Sequence, residues 1–581
     1  MDRSMPRARS RFLLAAAGAA LLVVSSANIV AADPKPGGPG QAKAKTTEIQ
    51  ILALNDFHGQ LRPPDSTSSG GRIGTTPAGG AEYLAQYVRD LRSTNPNTLF
   101  VSAGDLIGAT PLISAIFHDE PSIEAMNLMG LDYNGVGNHE FDEGPQELIR
   151  MQEGGCHPVE GCFAGDGFEG ADFPFLAANV TWKDTGETIF PPYAIHEFPG
   201  ADVAIVGMTL EGTPSIVTAA ATEDIDFHDE ADSVNALVPV LKAAGVETII
   251  VLLHEGGSPG TGLNETTINS CGGTSLPFPA VPPSGPVVDV INRFNREIDL
   301  VVTGHTNWAI NCPNFNGTGI MVTGAASVGR LVTDIDLTIS RSTKDVVSAS
   351  INNVIVRRDV FPPAADMTAL INRYGEIAAP IENRVIGEAS APLTRTLNTG
   401  GESSLGDIIA DAQVWATSGA SWPAANGAPA VISFMNAGGI RADINAGPIT
   451  YGEAFSVQPF ANVLVTMDMT GANIDAVLEQ QFQGGNGVLQ IPASLTYDRS
   501  GSLPAGNRVS NVRINGVLLD PAATYRVTVN NFLADGGDNY TVFRTGTNRY
   551  VGEIDLDAFA RYIEFLGTVN PGPQNRITVV P

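Results

Sequence analysis

Five apolar, strand-like runs of this 581-residue chain each end on residues of types that commonly bind metal ions. The runs are ILALNDFH (51–58), LFVSAGD (99–105), YNGVGNHEFD (133–142), TIIVLLHEGG (248–257) and DLVVTGHTN (299–307). They supply Asp56, His58, Asp105, Asn138, His139, Asp142, His254, His305 and Asn307. One Asp or His after a strand is an ordinary loop residue, but five such endings are hard to attribute to chance.

Each ligand-type residue follows its apolar run, which places it at the carboxyl end of a predicted strand. Loops at that end can bring residues from distant segments together. Carboxylate and imidazole groups suit zinc, manganese or iron, and a carboxylate can bridge two ions. The set contains no thiolate, which argues against a closed structural zinc site. We therefore predict a phosphoesterase site in which two ions, roughly 3.5–4 Å apart, activate water and hold the phosphoryl oxygens.

The chain is long enough for two large domains, because a single hydrophobic core stops growing at about 250–300 residues. Apolar runs alternate with helical stretches over 47–357, which indicates a layered α/β domain. A second α/β unit is predicted over 386–581, and 358–385 is predicted to be an interdomain linker helix. The apolar residues at helical spacing in this linker are Met367, Leu370, Ile371 and Tyr374.

Residues 1–32 are predicted to be a signal peptide. Arginines precede the apolar stretch FLLAAAGAALLVV, and the small-residue region ANIVAAD offers a cleavage point after Ala32. The alternative is an uncleaved membrane anchor, but the apolar stretch is short for a spanning helix, which needs about 20 residues. Residues 33–46 are predicted to be a Pro/Gly/Lys linker. We expect a secreted or cell-envelope protein with no stable membrane insertion after signal cleavage.

The chain carries 62 acidic and 33 basic side chains, which gives a formal net charge of −29. This charge argues against nucleic-acid partners and against anionic membranes. A phosphorylated substrate would also be repelled at long range. The site therefore needs local positive charge, which metal ions and arginines can provide.

Four cysteines stand at positions 156, 162, 271 and 312. An exported protein lies in an oxidising compartment, so the even count favours disulfides. The favoured pairs are Cys156–Cys162 and Cys271–Cys312, with the connectivity left open by the sequence. Metal binding by these thiols is the poorer alternative, because their spacing contains no CxxC pair.

The motif order D-x-H, GD, GNHE-x-x-D, H and GH-x-[HNQ] resembles the calcineurin-like metallophosphoesterases. This resemblance implies a four-layer α/β/β/α domain that binds two divalent ions, with zinc or manganese favoured. The implied ligands of one ion are Asp56, His58 and Asn307. The implied ligands of the other are Asn138, His254 and His305. Asp105 would bridge the two ions. Many relatives have His at the place of Asn307, and some nucleotidases use Asn or Gln there.

His139 and Asp142 are separate from the implied metal ligands and stand three residues apart in NHEFD. The resemblance implies that both are catalytic. The carboxylate would orient the imidazole, which would stabilise charge on the transferring phosphoryl group or assist the leaving oxygen. The alternative for His139 is an ordinary loop histidine. The histidines outside the motifs, at positions 118, 157, 196 and 228, are expected to be surface or structural residues.

Three C-terminal segments resemble the C-terminal domain of secreted 5′-nucleotidases. They are NAGGIRADI (436–444), PITYGEAFSVQPFANVL (448–464) and NNFLADGGDNYTVF (530–543). With them the resemblance covers the chain from about residue 47 to its end. It implies that this unit binds a nucleotide substrate through Asn436, Arg441, Phe460, Phe532 and Asp538.

These implied residues divide between phosphate and nucleoside. Arg441 stands beside two glycines, where a bare backbone lets a guanidinium approach a phosphate. Phe460 and Phe532 would sandwich the base, with core packing as their alternative, and a clamp of this kind accepts any base. A further phosphate-contacting arginine is expected before the helix LGDIIADA, and Arg395 is the only nearby candidate.

Together these features predict an exported 5′-nucleotidase that hydrolyses nucleoside 5′-phosphates by metal-activated water, with closure of its two domains. The alternatives are a 2′,3′-cyclic-nucleotide phosphodiesterase, a UDP-sugar hydrolase or a sulfur-ester hydrolase of the same superfamily. A non-catalytic surface protein on this scaffold is a third hypothesis, and the complete ligand set opposes it. The native metals, the preferred base and the oligomeric state stay open.

Overall fold

The computed structural model describes residues 46–64, 69–163, 167–260, 262–271, 283–419, 427–460, 462–483 and 487–581. The predicted signal peptide, 1–32, and the predicted linker, 33–46 except for Thr46, lie outside these ranges. Within them, no helix has both the length and the apolar character needed to cross a bilayer.

Two sheets, each with six strands in the described part of the chain, form the centre of the N-terminal region. In spatial order, the strands of the first sheet are Val346–Ile355, Leu331–Ser340, Thr46–Leu54, Thr98–Ser102, Tyr133–Gly135 and Phe175–Leu176. Those of the second are Ala309–Cys312, Met321–Ala325, Leu300–Thr303, Thr248–His254, Ala201–Thr209 and Tyr193–Phe198. Two small ladders pair Val180–Trp182 with Ile225–Phe227 and Arg72–Ile73 with Thr76–Pro77.

The strand Thr46–Leu54 shows why the two sheets stack. Successive side chains of a strand point to opposite faces. Ile49 and Ile51 lie in the core between the sheets, whereas Leu52 and Leu54 pack toward the outer helices. The second half of the strand, 51–54, is apolar and buried on both faces, as expected of a strand covered on both sides.

Helices cover the outer faces of both sheets. The helices whose side chains join the core on the first sheet are Ala81–Arg92, Leu112–Ala115, Glu120–Met129, Pro145–Glu153 and Ala365–Glu382. Those on the second sheet are Glu230–Ala243 and Pro286–Arg293. The layer order helix, sheet, sheet, helix confirms the predicted four-layer α/β/β/α fold.

The C-terminal region has sheets of its own in the described ranges. One sheet contains Ile432–Ser433, Thr524–Asn530, Val463–Thr470 and Thr547–Ile554. A second contains Val517–Leu518, Val509–Ile514, Leu495–Arg499 and Ile577–Val579. A smaller one contains Gly447–Thr450, Val385–Ala389 and Thr568–Val569. The helices are Ser404–Ser418, Tyr451–Val457, Gly471–Gln480, Asn531–Ala534 and Asp555–Leu566. The predicted second α/β unit is confirmed, while its limits at 386 and 581 stay predictions.

The helix Ala365–Glu382 contacts both regions. Its residues predicted at helical spacing are buried in the core of the N-terminal region, namely Met367, Leu370, Ile371 and Tyr374. The helix also packs against Tyr451–Val457 of the C-terminal region. At its last residue, the Glu382 carboxylate lies 2.6 Å from the guanidinium of Arg62.

Two disulfides, Cys156–Cys162 and Cys271–Cys312, confirm the predicted pairing. The second disulfide joins Cys312, at the end of the strand Ala309–Cys312, to the segment that follows His254 in the chain.

Candidate active site

The ends of parallel strands bring the candidate ligands together. Thr46–Leu54 pairs with Thr98–Ser102 in one sheet, and Thr248–His254 pairs with Leu300–Thr303 in the other. The loops after the first two strands carry Asp56 and Asp105. His254 is the last residue of its strand, and His305 follows two residues after the fourth. The backbone N–H of Asp56 donates to Gly104 O, which joins two of these loops.

Asp105 lies at the centre of the cluster. Its Oδ2 is 3.1 Å from His254 Nε2 and 3.8 Å from His58 Nε2. Its Oδ1 accepts a hydrogen bond of 3.0 Å from the backbone N–H of His139. One carboxylate oxygen therefore faces two histidines that come from different sheets.

Two groups of potential ligand atoms share Asp105. One comprises Asp56, His58 and Asp105, and the other comprises Asp105, His254 and His305, with the atoms of each group within 4.8 Å of one another. Asn138 joins the second group, because its Oδ1 lies 3.1 Å from His254 Nε2 and 2.8 Å from His305 Nδ1. Two groups with one shared carboxylate are the layout expected of a site for two ions.

The chemistry of the cluster fits divalent cations. Asp56 Oδ1 is buried and accepts no hydrogen bond from any residue in the described ranges. Burial raises the pKa of Asp56 to about 7, although His254 acts in the opposite direction. Burial opposes a charge on His254, but Asp105 prevails and raises the pKa of this imidazole to about 10. The pocket thus favours positive charge beside the carboxylates of Asp56 and Asp105, and a bound cation would provide that charge.

Two other histidines of the cluster are suited to coordination. Burial lowers the pKa of His58 and that of His305 to about 3, so both imidazoles are neutral at physiological pH. A neutral imidazole keeps one lone pair for a metal ion. His58 Nδ1 lies 2.9 Å from the backbone oxygen of Gly108, which fixes the orientation of the ring.

The backbone at the cluster is strained. Left-handed φ angles between 48° and 67° occur at Asp56, His58, Asp105, His305 and Asn307. Non-glycine residues seldom adopt this conformation, and such strain concentrates at functional sites. Gly104, which precedes Asp105, has a φ of 87°, and a Cβ there would lie 2.5 Å from the backbone nitrogen of Gly137. The glycine of the GD motif is therefore required by close packing.

His139 and Asp142 form the predicted pair. His139 Nδ1 lies 2.8 Å from Asp142 Oδ2, and the ring of His139 meets that of His58 edge to face with centroids 5.2 Å apart. Burial opposes protonation of His139, but Asp142 raises its pKa. Asp142 thus both orients the imidazole and favours its charged form.

Two of the C-terminal residues reach this cluster. The ring of Phe460 stacks on His139, with centroids 5.6 Å apart and an interplanar angle of 13°. The guanidinium of Arg441 lies 5.8 Å from the centroid of the same Phe460 ring. The C-terminal region therefore places a cationic and an aromatic side chain beside His139.

A cavity of about 920 Å³ extends from the cluster between the two regions. Its wall includes His58 and Asn307 from the N-terminal region and Arg395 and Arg441 from the C-terminal region. Arg62 also lines it. The backbone N–H and the guanidinium of Arg395 both bind Asp443, which holds this arginine at the cavity wall.

The remaining predicted nucleoside residues lie together. Asn436 Nδ2 donates to Asp538 Oδ2 over 2.9 Å, and Asn530 Nδ2 donates to Asn436 Oδ1 over 3.1 Å. The ring of Phe532 lies against the backbone of Gly537, next to Asp538. The structure thus brings Asn436, Phe532 and Asp538 to one place.

Comparisons with known proteins identify the family. The profile of the calcineurin-like phosphoesterases matches residues 49–308, and that of the 5′-nucleotidase C-terminal domain matches residues 385–545. A cell wall protein of Listeria monocytogenes is 30% identical over 94% of this chain and 70% of its own length. The chain belongs to the calcineurin-like phosphoesterases that carry a 5′-nucleotidase C-terminal domain. It is accordingly a metal-dependent phosphoric ester hydrolase.

Two further relatives of this phosphoesterase show how far the likeness extends. The 5′-nucleotidase precursor of Thermus thermophilus has a similar structure, with a TM-score of 0.72 and 28% identity over 92% of this chain and 99% of that one. The endonuclease YhcR of Bacillus subtilis is 32% identical over 89% of this chain. The chain spans 39% of the length of YhcR.

Two residues of the phosphoesterase that the sequence analysis did not select hold the ligand loops in place. Asn55 Nδ2 donates to Asp56 Oδ2 and to Ala326 O, while its Oδ1 accepts from the backbone N–H of Ala325. Glu140 accepts from the backbone N–H groups of Asp105, Leu106 and Gly137. Asn55 directly precedes Asp56, and Glu140 directly follows His139. A polar side chain next to a predicted site residue is the sequence feature that could have indicated them.

We predict that Asn55→Ala destabilises the phosphoesterase by about 1–3 kcal/mol, because the buried N–H of Ala325 and carbonyl of Ala326 lose their partner. Thermal and urea unfolding measure the change. Asn97→Ala is the matched control, since Asn97 makes its side-chain bond at the surface and its loss costs less than about 0.5 kcal/mol. Equal stability of both variants would contradict the positioning role of Asn55.

Proposed function

We propose that this phosphoesterase hydrolyses nucleoside 5′-phosphates to nucleoside and phosphate at a site for two divalent cations. The observation that carries the proposal is the meeting of its two regions. Phe460 and Arg441 belong to the segment matched by the 5′-nucleotidase domain. Phe460 stacks on His139, and Arg441 lies over the same Phe460 ring. A phosphate at the cluster thus has a cationic and an aromatic side chain next to it.

The chain's donors divide into two sets of ligands. One ion is assigned to Asp56, His58 and Asn307. The other is assigned to Asn138, His254 and His305. Asp105 faces both sets. When bound, two such cations bring the pKa of water down toward about 7 and neutralise charge on the phosphoryl oxygens. Zinc and manganese suit these nitrogen and oxygen donors.

His139 and Asp142 handle the charge that develops during hydrolysis. The Asp142 carboxylate holds His139 Nδ1 at 2.8 Å, which leaves Nε2 of the same ring for the substrate. A protonated His139 stabilises negative charge on the phosphoryl group or gives its proton to the leaving ribose oxygen. Arg441 adds a second positive charge from the opposite side of the cleft.

The nucleoside is assigned to the C-terminal region. Phe460 and Phe532 supply apolar rings for the base, while Asn436 and Asp538 supply hydrogen-bonding groups. The contact between Phe460 and His139 leaves no base between them, so a substrate enters when the C-terminal region moves away from the cluster. Closure after entry returns Arg441 to the phosphate, and such motions can limit turnover.

A phosphodiesterase activity on cyclic nucleotides or nucleotide sugars is the second candidate. The cavity of about 920 Å³ extends past Arg62 and Arg395, which provides room for a group beyond the first phosphate. The relative YhcR is named an endonuclease, and endonucleases cleave phosphodiester bonds.

A substrate panel with divalent metal present tests the proposal. Phosphate release is measured from AMP, 2′,3′-cyclic AMP, UDP-glucose and p-nitrophenyl phosphate. A phosphomonoesterase is added to the stopped reactions of the two diesters, so that the monoesters formed by their cleavage release phosphate. We expect the highest kcat/KM with AMP. A higher value for either diester would replace the proposal by the second candidate, and no release from any nucleotide would overturn both.

We also propose that the chain acts outside the cytoplasm. Its predicted signal peptide and two disulfides suit an oxidising compartment, and a Listeria relative is a cell wall protein. N-terminal sequencing of protein recovered from the culture medium and from the cell envelope tests this. A mature chain that starts near Asp33 is expected, and recovery of the uncut chain from the cytoplasm alone would contradict export.

Phe532→Ala is expected to raise KM for AMP about 10–100-fold, because the loss of one stacking ring costs about 1–3 kcal/mol. Hydrolysis of p-nitrophenyl phosphate should stay unchanged, since this substrate has no nucleobase. Phe482→Ala is the matched control, as Phe482 packs on the same core but under Arg499 and Arg508. Equal losses on both substrates would show that Phe532 serves packing only.

A further inference from the structure

A second cluster of metal-type side chains lies outside the site at the strand ends. His118, Glu143 and His157 each offer one ligand atom, and these atoms all lie within 4.8 Å of one another. His118 comes after the short helix Leu112–Ala115, and His157 lies within the loop closed by the Cys156–Cys162 disulfide. Three separate segments thus converge on one point.

The two imidazoles lie face to face, so one ring must turn before both direct a lone pair at the same ion. Their rings are stacked with centroids 4.0 Å apart and an interplanar angle of 9°. Phe163 packs against both, with ring centroids 5.4 Å from His118 and 6.4 Å from His157. The aromatic ring covers one side of the pair, and the cluster's carboxylates supply the polar side.

Carboxylates lie at both nitrogens of His118. Its Nδ1 lies 2.5 Å from Glu143 Oε2, and its Nε2 lies 3.6 Å from Glu160 Oε2. Glu147 also raises the pKa of His118, although its carboxylate is paired with Arg150. Burial opposes protonation of His118, but the bond to Glu143 raises its pKa, so this cluster attracts positive charge. One proton on the ring compensates only part of the negative charge around it.

We propose that His118, His157 and Glu143 bind a divalent cation of the zinc type. This site is separate from the strand-end cluster, which is the group of candidate ligands around Asp105 described above. Two imidazoles and one carboxylate are the protein ligands of open zinc sites, in which water takes the fourth position. The absence of thiolates and the nitrogen donors favour Zn²⁺, Ni²⁺ or Cu²⁺ over Ca²⁺ and Mg²⁺.

The loop that carries His157 is constrained before any ion binds. The disulfide closes it, and His157 and Gly161 pair through their backbones across it. His157 Nδ1 accepts a hydrogen bond of 3.1 Å from the backbone N–H of Glu160. A neutral imidazole has one free lone pair, so coordination by this ring replaces that bond. The constrained loop lowers the entropy that binding costs.

The proposed site is connected to the strand-end cluster through the chain. Asp119, next to His118, accepts hydrogen bonds from Gly108 N and Thr110 Oγ1. The oxygen of Gly108 in turn holds His58 Nδ1. Glu143 directly follows Asp142, the partner of His139. The proposed site therefore borders segments that hold His58 and His139.

Zinc counting tests the proposal on the full mature chain. The protein is stripped with chelator, dialysed against excess Zn²⁺, desalted, and analysed for bound zinc by mass spectrometry. We expect His118→Gln, His157→Gln and Glu143→Gln each to bind one equivalent less than the wild type. His228→Gln is the matched control, since the ring of His228 bonds Thr181 and belongs to none of the ligand groups in the described ranges. This variant should retain the wild-type count.

Circular dichroism of each variant in chelator checks that the fold is kept, and three independent substitutions guard against the failure of one. Equal zinc counts in the wild type and the folded variants would overturn the proposal. An equal loss in His228→Gln would also overturn it, since zinc would then bind surface histidines at random. Phosphate release from AMP by the same samples reports on the proposed function separately, so that either idea can fail alone.

Discussion

Asp105→Asn should lower kcat by ~10³-fold or more on AMP and on p-nitrophenyl phosphate alike. The side chain faces both ligand groups, with Oδ2 at 3.1 Å from His254 Nε2 and 3.8 Å from His58 Nε2. Asparagine at this position has no negative charge and only one oxygen, so both ligand groups lose the carboxylate that they share. Charge stabilisation of this kind amounts to several kcal/mol, and each 1.36 kcal/mol is tenfold in rate. The variant should also bind fewer equivalents of Mn²⁺ or Zn²⁺.

The matched control for this substitution is Asp226→Asn. Asp226 is more than half exposed, lies 4.0 Å from Lys183 and belongs to neither ligand group. The activity of the Asp226→Asn variant should equal that of the wild type within about twofold, because surface substitutions usually have small effects. Retention of more than a tenth of the activity by Asp105→Asn, at saturating metal, would remove the shared-carboxylate arrangement from the mechanism.

His139→Gln should lower kcat for AMP by about 10²–10⁴-fold, the usual contribution of a positioned general acid or base. Its KM and its bound metal should change little, because His139 belongs to neither ligand group. Asp142→Asn should give a smaller loss of kcat, since it leaves the ring in place but removes the carboxylate that orients and charges it.

Steady-state kinetics and metal counting on the same preparations check this expectation. His196→Gln is the matched control, because His196 contacts Tyr133 and Phe198 instead of the cluster. A loss of metal together with activity would reassign His139 to the ligands. Unchanged kcat would show that it is an ordinary loop histidine, the alternative that the sequence left open.

The fold could be predicted because the apolar runs of the sequence indicate which strands are buried. Runs such as TIIVLLH, buried at every position, indicate strands covered on both faces, and the two stacked sheets with outer helices follow from them. The residues that end these runs are brought together for the same reason. The strands Thr248–His254 and Leu300–Thr303 are parallel neighbours, so His254 and His305 lie at the same edge of the sheet.

Other features depend on the three-dimensional backbone and leave little trace in the sequence. The left-handed φ angles at Asp56, Asp105 and Asn307 arise from loop closure between distant strands. The bonds from Asn55 to Ala325 and Ala326 join segments separated by about 270 residues. The stack of His118 on His157 depends on how a disulfide loop packs, which periodicity does not report.

X-ray anomalous scattering from crystals grown with Mn²⁺ measures the central claim most directly. Two peaks are expected, roughly 3.5–4 Å apart, with the carboxylate of Asp105 between them. One peak should lie against Asp56 and His58, and the other against His254 and His305. A single peak at this cluster, or peaks outside coordination distance of Asp105, would contradict the arrangement from which the proposed hydrolysis follows.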